Sequence, residues 1–203
     1  MVRHDEMASV VNGLTFMRKF VNKPTIEVSM TKDGGLNKTL VDEIGNDGTK
    51  LLVSCGSGVS VLRVENELSY ERVNGTMIGG GTLVGLANMM TGINDFDTII
   101  KLAAEGDNTK VDMLVKDIYG NDSPFKELGE DLLASSFAKM ATATPLYELD
   151  GRDNKKYNKS DVLNSLVTMI SINIGRLACT TAEMQNINQI YFVGNLVKHN
   201  ELA

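Results

Sequence analysis

The sequence predicts a mixed fold of the α/β or α+β class, with one sheet and a block of helices. Apolar residues recur at helical spacing in two long segments, residues 5–20 and 161–184. Short apolar runs that end in glycine, LLVSCGSG and QIYFVGN, are typical of buried strands. A triple glycine, Gly79-Gly80-Gly81, separates a strand-rich part of the chain from a helix-rich part.

The first helix is predicted over residues 5–20, DEMASVVNGLTFMRKF. Its apolar positions share one face, and Asp5 and Glu6 stand in the first turn, where carboxylates interact favourably with the helix dipole. From about Val21 to Lys50 the pattern is less regular, and this segment predicts short strands and turns on the surface. Within it, Asp33-Gly34-Gly35 is best explained as a surface turn.

Three strands and a helix are predicted next along the chain. LLVSCGSG, SVLRVEN and SYERVNG follow one another with turn residues between them, which is typical of a β-meander. The segment TMIGGGTLVGLANMMTG then changes from strand to helix across the glycines.

The remainder of the chain is predicted to be mainly helical. DFDTIIKLAAEG ends at Gly106, NTKVDMLVKDIYG has an apolar face and ends at Gly120, and LLASSFAKM forms a shorter helix. RDNKKYNKS is a polar loop, DVLNSLVTMISINIGRLACTTAEM is the longest helix, and QIYFVGN is a strand that stops at Gly194. Three strands, a helical block and a further strand follow the order of a ribonuclease-H-like half.

Composition limits the possible classes of function. The chain has 203 residues, 42% hydrophobic residues and a net charge of −6, which fits one domain, 1–203, with a sizeable core. The acidic balance, without a stripe of Lys and Arg, argues against a nucleic-acid binder. No run approaches the ~20 apolar residues of a membrane span, and the N-terminus is unlike a secretion signal. Two cysteines and two histidines offer no set of metal ligands and no disulfide framework, so we expect a reducing cytoplasm.

Two glycine motifs are candidates for an anion site. Gly56-Ser57-Gly58-Val59-Ser60 follows a strand and offers N–H groups and hydroxyls to a phosphate, although a tight hairpin is the more common explanation. Gly79-Gly80-Gly81-Thr82 begins a helix, where unpaired N–H groups and the helix dipole favour an anion. Three consecutive glycines are rarely needed for structure alone, so we favour binding here. Neither motif is a Walker A loop or a dinucleotide fingerprint.

Two charged residues are candidates for the chemistry. Arg72, near the end of a strand, can hold a carboxylate or phosphate through paired hydrogen bonds, although a solvated arginine is the more frequent case. Glu6 can act as a catalytic base, although a capping or dipole role is more frequent for a carboxylate at a helix start.

Taken together, these stretches resemble the type II (eukaryotic-type) pantothenate kinases. The resemblance rests on DEMASVVNGL, LLVSCGSGVSVLRVE, YERVNGTMIGGGTLVGLANMMTG, FDTIIKLAAEGDNTKVDMLVKDIYG, LLASSFAKM, and NIGRLA with IYFVGN. These segments cover nearly the whole chain in the family's order. The triple glycine and the GD-x-T-x-VD-x-LVKDIYG run are the most specific parts.

The resemblance implies an actin-like fold of the sugar-kinase superfamily, in which two ribonuclease-H-like lobes enclose the nucleotide. It implies phosphorylation of pantothenate by ATP with Mg²⁺, the first step of coenzyme A synthesis. It also implies feedback inhibition by acyl-CoA and assembly as a homodimer.

The resemblance further implies a role for each matching residue. Glu6 corresponds to the carboxylate that accepts the proton of the pantothenate hydroxyl, and Arg72 to the arginine that holds pantothenate and acyl-CoA. Ser57 and Ser60 correspond to hydroxyls of the same pocket, and Ala134 to a residue near the active site of the other subunit. The expected nucleotide-binding residues are Gly56, Ser57, Gly58, Gly79, Gly80, Gly81, Thr82 and Leu83.

Two parts of the family pattern have no counterpart in this sequence. The family begins with a strand and a D-x-G-G-T loop for the ATP phosphates, and it continues past VGN to an E-H-x-G-Y-x-G-A segment. We therefore expect a partial pantothenate-kinase domain, its first lobe largely missing, and weak or no turnover by residues 1–203 alone. Two alternatives stay open: a non-catalytic acyl-CoA-binding or dimer-forming remnant, and a kinase of the same superfamily for another small substrate.

Overall fold

A computed structural model of the chain describes residues 5–20, 25–30, 36–41, 48–66, 68–120, 131–142 and 158–197. The helices in these ranges are α1 (Glu6–Phe20), α2 (Gly80–Thr91), α3 (Phe96–Ala104), α4 (Val115–Tyr119) and α5 (Lys159–Gln185). The strands are β1 (Thr25–Met30), β2 (Leu36–Val41), β3 (Lys50–Cys55), β4 (Val59–Val64), β5 (Tyr70–Thr76), β6 (Met113–Leu114), β7 (Leu133–Ser135) and β8 (Ile190–Val193). Three features of the sequence lie outside the described residues: the turn predicted at Asp33-Gly34-Gly35, both histidines, and most of the polar loop RDNKKYNKS.

The central sheet has four strands in the order β5-β4-β3-β8. The antiparallel pairs β3–β4 and β4–β5 confirm the predicted meander, and β8 joins β3 in parallel, with Leu51 opposite Ile190. Strands β1 and β2 pair separately as an antiparallel hairpin, with Thr25 opposite Val41. The mixed class of sheet and helices is therefore confirmed, while the ribonuclease-H-like and actin-like lobe stays a prediction.

Helices cover both faces of this sheet. Because side chains alternate along a strand, Leu51 and Val53 of β3 point to one face and Leu52 points to the other. The first two residues pack in the cluster that contains Leu166 of α5, and Leu52 packs with Val11 of α1. We call these two surfaces the α5 face and the α1 face. Burial of each such aliphatic side chain contributes about 1.5–3 kcal/mol to folding.

Helix α5 is the longest helix of the described residues, as predicted. Its first turn is capped reciprocally: the N–H of Asp161 donates to Asn158 Oδ1 at 3.0 Å, and the N–H of Asn158 donates to Asp161 Oδ2 at 2.9 Å. By length and composition, an 18-residue stretch of α5 is apolar enough to cross a membrane, although no such run was predicted from the sequence. Half of that stretch is buried inside the protein, so its apolar residues have a packing role in this fold.

Two predicted helices are wrong. NTKVDMLVKDIYG forms a 3₁₀ turn at Asn108–Lys110, the two-residue strand β6 and the short helix α4. LLASSFAKM forms strand β7 and a 3₁₀ turn at Ala138–Thr142. Strands β6 and β7 pair with each other, with Met113 opposite Ser135, so hydrogen bonds between the two segments replace those expected within each helix.

A buried aspartate explains why this region departs from helix. Asp112 is 0% exposed, and its carboxylate accepts hydrogen bonds from Phe137 N at 2.8 Å and Asn108 Nδ2 at 2.8 Å. The Ser165 hydroxyl of α5 donates to the same carboxylate. Asp112 thereby joins three separate segments of the chain through hydrogen bonds that are buried or partly buried.

A second buried aspartate joins the same region to the start of α5. Asp161 is 1% exposed, and its Oδ1 accepts the N–H of Asp107 at 2.9 Å and lies 3.5 Å from Lys110 Nζ. A Cβ on Gly106 would overlap the backbone of Ser160 and lie 2.8 Å from Asp161 N, so glycine is required for this contact. We call Gly106, Asp112, Asp161 and their partners the aspartate junction.

Candidate functional site

Arg72 and Ser60 lie together on the α1 face of the sheet. In the β4–β5 pairing, Arg72 is opposite Leu62 and Ser60 is opposite Gly75. Leu62 packs with Val11 of α1, and residues directly opposite each other share a face, so Arg72 and Ser60 also face α1. Nε of Arg72 donates to Ser60 Oγ at 3.2 Å. The structure thus brings together two residues that the sequence assigned to one pocket.

The guanidinium of Arg72 rests on a glycine of its own strand. A Cβ on Gly75 would overlap Nη2 of Arg72 and lie 3.0 Å from Cζ. Arg72 is exposed, and its Nη groups make no hydrogen bond to the described residues. They are therefore free to bind a carboxylate or phosphate with two parallel hydrogen bonds.

Glu6 is the first residue of α1, the helix that packs on the same face. The capping role belongs to its neighbour: Asp5 Oδ1 accepts the N–H of Met7 at 2.8 Å, and the Asp5 carbonyl accepts the N–H of Ser9 at 3.0 Å. Glu6 is exposed and has no hydrogen bond or ion pair with the described residues. The capping explanation therefore applies to Asp5 and leaves the carboxylate of Glu6 available.

The two glycine motifs pack against each other. Gly80 N donates to the Gly56 carbonyl at 2.8 Å, and Gly81 N donates to the Ser57 carbonyl at 2.9 Å. A Cβ on Gly79 would lie 2.8 Å from the Ser57 carbonyl oxygen, and on Gly80 it would lie 3.0 Å from that of Gly56. The close approach gives the glycines a structural role that the sequence analysis considered rare, and it uses two of the N–H groups expected to bind an anion.

Thr82 and Leu83 complete the start of α2. Thr82 Oγ1 donates to the Met77 carbonyl at 3.0 Å and accepts the N–H of Gly79 at 3.3 Å, so it closes the turn before the helix. Leu83 is 0% exposed in the core of the α5 face. Its side chain packs in that core, and its backbone N–H donates to the Gly79 carbonyl at 2.9 Å.

The turn between β3 and β4, Gly56–Gly58, which we call the glycine hairpin, lies close to Arg72 along β4 and β5. A Cβ on Gly58 would lie 3.2 Å from the carbonyl oxygen of Thr76. Thr76 directly follows Gly75, the glycine that contacts the guanidinium of Arg72. Val59 is paired with Thr76, and Ser60 with Gly75. We call the set Gly56–Ser60, Arg72, Gly75 and Gly79–Gly81 the Arg72 site.

Ala134 does not join this set. It lies on β7, is exposed, and is connected through the β6–β7 pair to the aspartate junction. A cavity of about 440 Å³ also lies elsewhere, at the end of α5, lined by Cys179, Ala182, Glu183, Asn186, Ile187, Asn188 and Ile190. None of the residues expected in the active site lines that cavity.

The chemistry of the Arg72 site is that of charge and hydrogen bonding. Cys55 ends β3 beside the hairpin, and burial raises the pKa of its thiol to about 11, so it is neutral and a poor nucleophile near pH 7. Among the described residues, no group of three or more His, Cys, Asp and Glu side chains is placed to hold a metal ion. The site offers an exposed arginine and hydroxyls, and the helix that packs on the same sheet face begins with the exposed carboxylate of Glu6.

Gly75 and Asn74 were missed in the sequence analysis. Asn74 Nδ2 donates to Thr181 Oγ1 of α5 at 2.9 Å, and its Oδ1 accepts the N–H of Gly75 at 2.9 Å. The signal was the glycine inside a predicted strand, YERVNGT, which often marks a bulge or a close approach.

Comparison with known proteins gives matches over almost the entire chain. The family model described as Fumble matches residues 1–203. The chain is 38% identical over 198 residues to pantothenate kinase 1 of Arabidopsis thaliana, covering 97% of this chain and 49% of that protein. It is 36% identical over 203 residues to the pantothenate kinase of Schizosaccharomyces pombe, covering 98% and 48%.

A relative with a different name matches equally well. The chain is 36% identical over 196 residues to the 4'-phosphopantetheine phosphatase of Mus musculus, covering 97% of this chain and 22% of that protein. The chain thus spans about half, or less, of the length of these three relatives.

Proposed function

We propose a function from a premise that the full-length match establishes: the chain belongs to the Fumble family. The relatives named pantothenate kinase confirm the resemblance seen in the sequence. The proposal is that this chain takes part in the ATP-dependent phosphorylation of pantothenate to 4'-phosphopantothenate, the first step of coenzyme A biosynthesis. In the proposed domain, residues 1–203 supply the substrate side of an actin-like active site.

The observation that carries this proposal is that one exposed charged residue lies on the α1 face and another begins the helix that covers this face. Arg72 is exposed on the α1 face, and its Nη groups make no hydrogen bond to the described residues. The helix that covers this face begins with the exposed Glu6 and is capped by Asp5. In the proposed reaction Arg72 holds the polar part of pantothenate, with the Ser60 and Ser57 hydroxyls beside it. Glu6 accepts the proton of the hydroxyl that attacks the γ-phosphate.

The glycines of the Arg72 site are proposed to lie beside the nucleotide. The amides of Gly80 and Gly81 already donate to the hairpin, so the donors that we assign to a phosphate are the Ser57 hydroxyl and the remaining exposed backbone of the hairpin. The described residues provide no cluster of ligands for Mg²⁺, so we assign that ion no protein ligand and no step.

Three further properties belong to the same proposal. Acyl-CoA is proposed as a feedback inhibitor that shares the Arg72 site with pantothenate. A homodimer is proposed in which Ala134, exposed on β7, lies near the active site of the other subunit. A cytoplasmic location is proposed as well, because the two cysteines, Cys55 and Cys179, are free thiols.

We also propose a second function, because one relative is named as a phosphatase and not as a kinase, and the matching segment forms 22% of that longer protein. In that case the chain binds acyl-CoA through Arg72 and does not transfer phosphate. Both functions predict binding of acyl-CoA, so product formation is the measurement that separates them.

The test compares Glu6→Gln with the matched control Asp5→Asn in the chain 1–203. Asn caps a helix as well as Asp does, so Asp5→Asn should leave both the helix and the activity intact. Phosphopantothenate formed from ATP and pantothenate is measured by mass spectrometry. We expect slow, pantothenate-dependent product formation, and a rate ~10²–10⁴-fold lower for Glu6→Gln, because a general base is lost.

Two results would count against the proposed kinase. Acetyl-CoA binding without any product in the unmodified chain would favour the second function. Equal rates for Glu6→Gln and Asp5→Asn would show that Glu6 is a helix-start residue only.

A further inference from the structure

Strand β5 contains an extra residue next to Arg72. Val61 of β4 is opposite Asn74, whereas the next residue, Leu62, is opposite Arg72, so Val73 is left without a partner. This is a β-bulge, in which two residues of one strand oppose one residue of the other.

The bulge turns two consecutive side chains toward the same face. Val73 packs against the core of the α5 face, and Asn74 bonds to Thr181 of α5. In a regular strand, alternation from Asn74 would put Val73 on the α1 face and Arg72 on the α5 face. The bulge reverses this assignment and places Arg72 on the α1 face, opposite Leu62 and bonded to Ser60.

The bulge is held by a hydrogen-bonded connection to α5. Thr181 is 3% exposed; its Oγ1 donates to the Leu177 carbonyl at 2.7 Å and accepts from Asn74 Nδ2 at 2.9 Å. The other end of the Asn74 amide accepts the N–H of Gly75, the residue on which the guanidinium rests. The side chain of Asn74 is thereby fixed at both ends.

We propose that Asn74 and Thr181 are positioning residues that lock the bulge at Val73 and so hold Arg72 on the α1 face, ready for its anionic ligand. The inference rests on the proposed function insofar as that ligand is pantothenate or acyl-CoA. Thr181 lies on the opposite face of the sheet from Arg72, so any effect of Thr181 on that ligand passes through β5.

The variant Thr181→Val removes the hydroxyl and keeps the shape of the side chain, and Thr181→Ser keeps the hydroxyl. We expect Thr181→Val to weaken binding of pantothenate and acetyl-CoA about three- to tenfold, as the loss of one hydrogen bond permits, and Thr181→Ser to bind normally. Calorimetry on the folded chain measures both ligands. In the background of Arg72→Ala, Thr181→Val should weaken binding no further, because the two residues act in series.

A second readout does not depend on the ligand. In NMR spectra, the Nε–H of Arg72 should exchange slowly with water because of its bond to Ser60, and Ser60→Ala identifies the signal by accelerating exchange. We expect Thr181→Val to accelerate it as well.

The outcomes separate the two proposals. If the unmodified chain binds neither ligand, the proposed function is wrong, and the exchange measurement alone decides the positioning role. Unchanged exchange and unchanged affinities in Thr181→Val would overturn the positioning role. Equal weakening by Thr181→Val with and without Arg72 would overturn it too, since Thr181 would then act by another route.

Discussion

The aspartate junction and the Arg72 site both combine glycines with charged side chains, but they use their charges in opposite ways. In the junction, Asp112 is fully buried and its carboxylate accepts hydrogen bonds from Asn108, Phe137 and Ser165. At the Arg72 site, Arg72 is exposed and only its Nε has a partner among the described residues. A buried, satisfied charge stabilises a fold, whereas an exposed charge with unused donors is available to a ligand.

The glycines of the two regions show a related difference. A Cβ on Gly106 would strike backbone atoms of Ser160 and Asp161, which belong to the rigid start of α5. A Cβ on Gly75 would strike the side chain of Arg72 as well as the Val59 carbonyl oxygen. The first glycine serves packing between segments, and the second also serves the placement of a functional side chain. Both the aspartate junction and the Arg72 site contain specific sequence motifs. The burial of the charged side chain distinguishes the structural region from the candidate binding site.

The largest effect is expected for Asp112→Ala in the junction. The change leaves the donors of Asn108, Phe137 and Ser165 without an acceptor, and each buried donor left unsatisfied costs about 1–3 kcal/mol. Urea denaturation measures the free energy of unfolding. Asp97→Ala, in the exposed first turn of α3, is the control, with a loss of about 1 kcal/mol or less. A loss below that size for Asp112→Ala would remove the contrast between the two regions.

Arg72→Ala is expected to change binding rather than stability. A charge-assisted hydrogen bond contributes roughly 1.5–3 kcal/mol, so pantothenate and acetyl-CoA should each bind at least about tenfold more weakly, with an unchanged urea midpoint. Arg63→Ala is the control, because Arg63 forms surface ion pairs with Glu65 at 2.8 Å and Glu71 at 3.4 Å. Calorimetry decides the question: if neither affinity changes, Arg72 is a solvated strand residue.

Gly106→Ala tests the packing role of the junction glycine. The added methyl group meets backbone of α5, and overpacking of this kind costs about 1–3 kcal/mol. The matched change Gly13→Ala, inside α1 with no atom within 4 Å of the new Cβ, should instead stabilise by about 0.5–1 kcal/mol. Thermal unfolding of the two variants should therefore shift in opposite directions; a shared direction contradicts the packing argument.

The smallest effect concerns acid stability. The side-chain hydrogen bond from Thr109, at 2.6 Å, holds the pKa of Asp107 below its ordinary value. The pKa of an aspartate in the unfolded chain is about 3.9, and the pKa of Asp107 is lower in the folded chain. The ionised carboxylate therefore stabilises the fold above about pH 3.9, and this contribution is lost as the pH falls through the lowered pKa. Thr109→Val should therefore be slightly less stable than the unmodified chain at pH 6 and equal to it near pH 2. Urea midpoints across this range make the comparison, and a constant difference would exclude the linkage.

Much of the fold could be predicted because local patterns and tertiary packing agree. The first helix, the meander, the helix after the glycines, α5 and β8 all lie where periodicity and glycine stops placed them. The helix predicted after Gly106 was wrong because the apolar residues of this segment recur at helical spacing. In the structure the Asp112 carboxylate instead accepts hydrogen bonds from Phe137 N and Ser165 Oγ, which are distant in sequence. Ile118, expected on the apolar face, is 51% exposed.

The site was predictable in its members and not in its geometry. Arg72 and Ser60 were assigned to one pocket through resemblance, and the structure places them in contact. The bulge at Val73 depends on a hydrogen bond to Thr181, more than a hundred positions later in the chain, so no local pattern reveals it. The packing of the two glycine motifs is likewise a long-range contact, which the spacing of residues does not encode.

The parallel pairing of β3 with β8 has a consequence for how the chain is made. Residue 51 pairs with residue 190, so this contact has a very high sequence separation and forms late. At about 5–20 residues per second, synthesis of the 139 residues from 52 to 190 leaves that edge of β3 without its neighbour for roughly 7–28 s. During this interval an apolar strand, with unpaired N–H and C=O groups, is exposed to other nascent chains. We expect the yield of folded protein in a cell to depend on chaperones that shield β3 until β8 is synthesised.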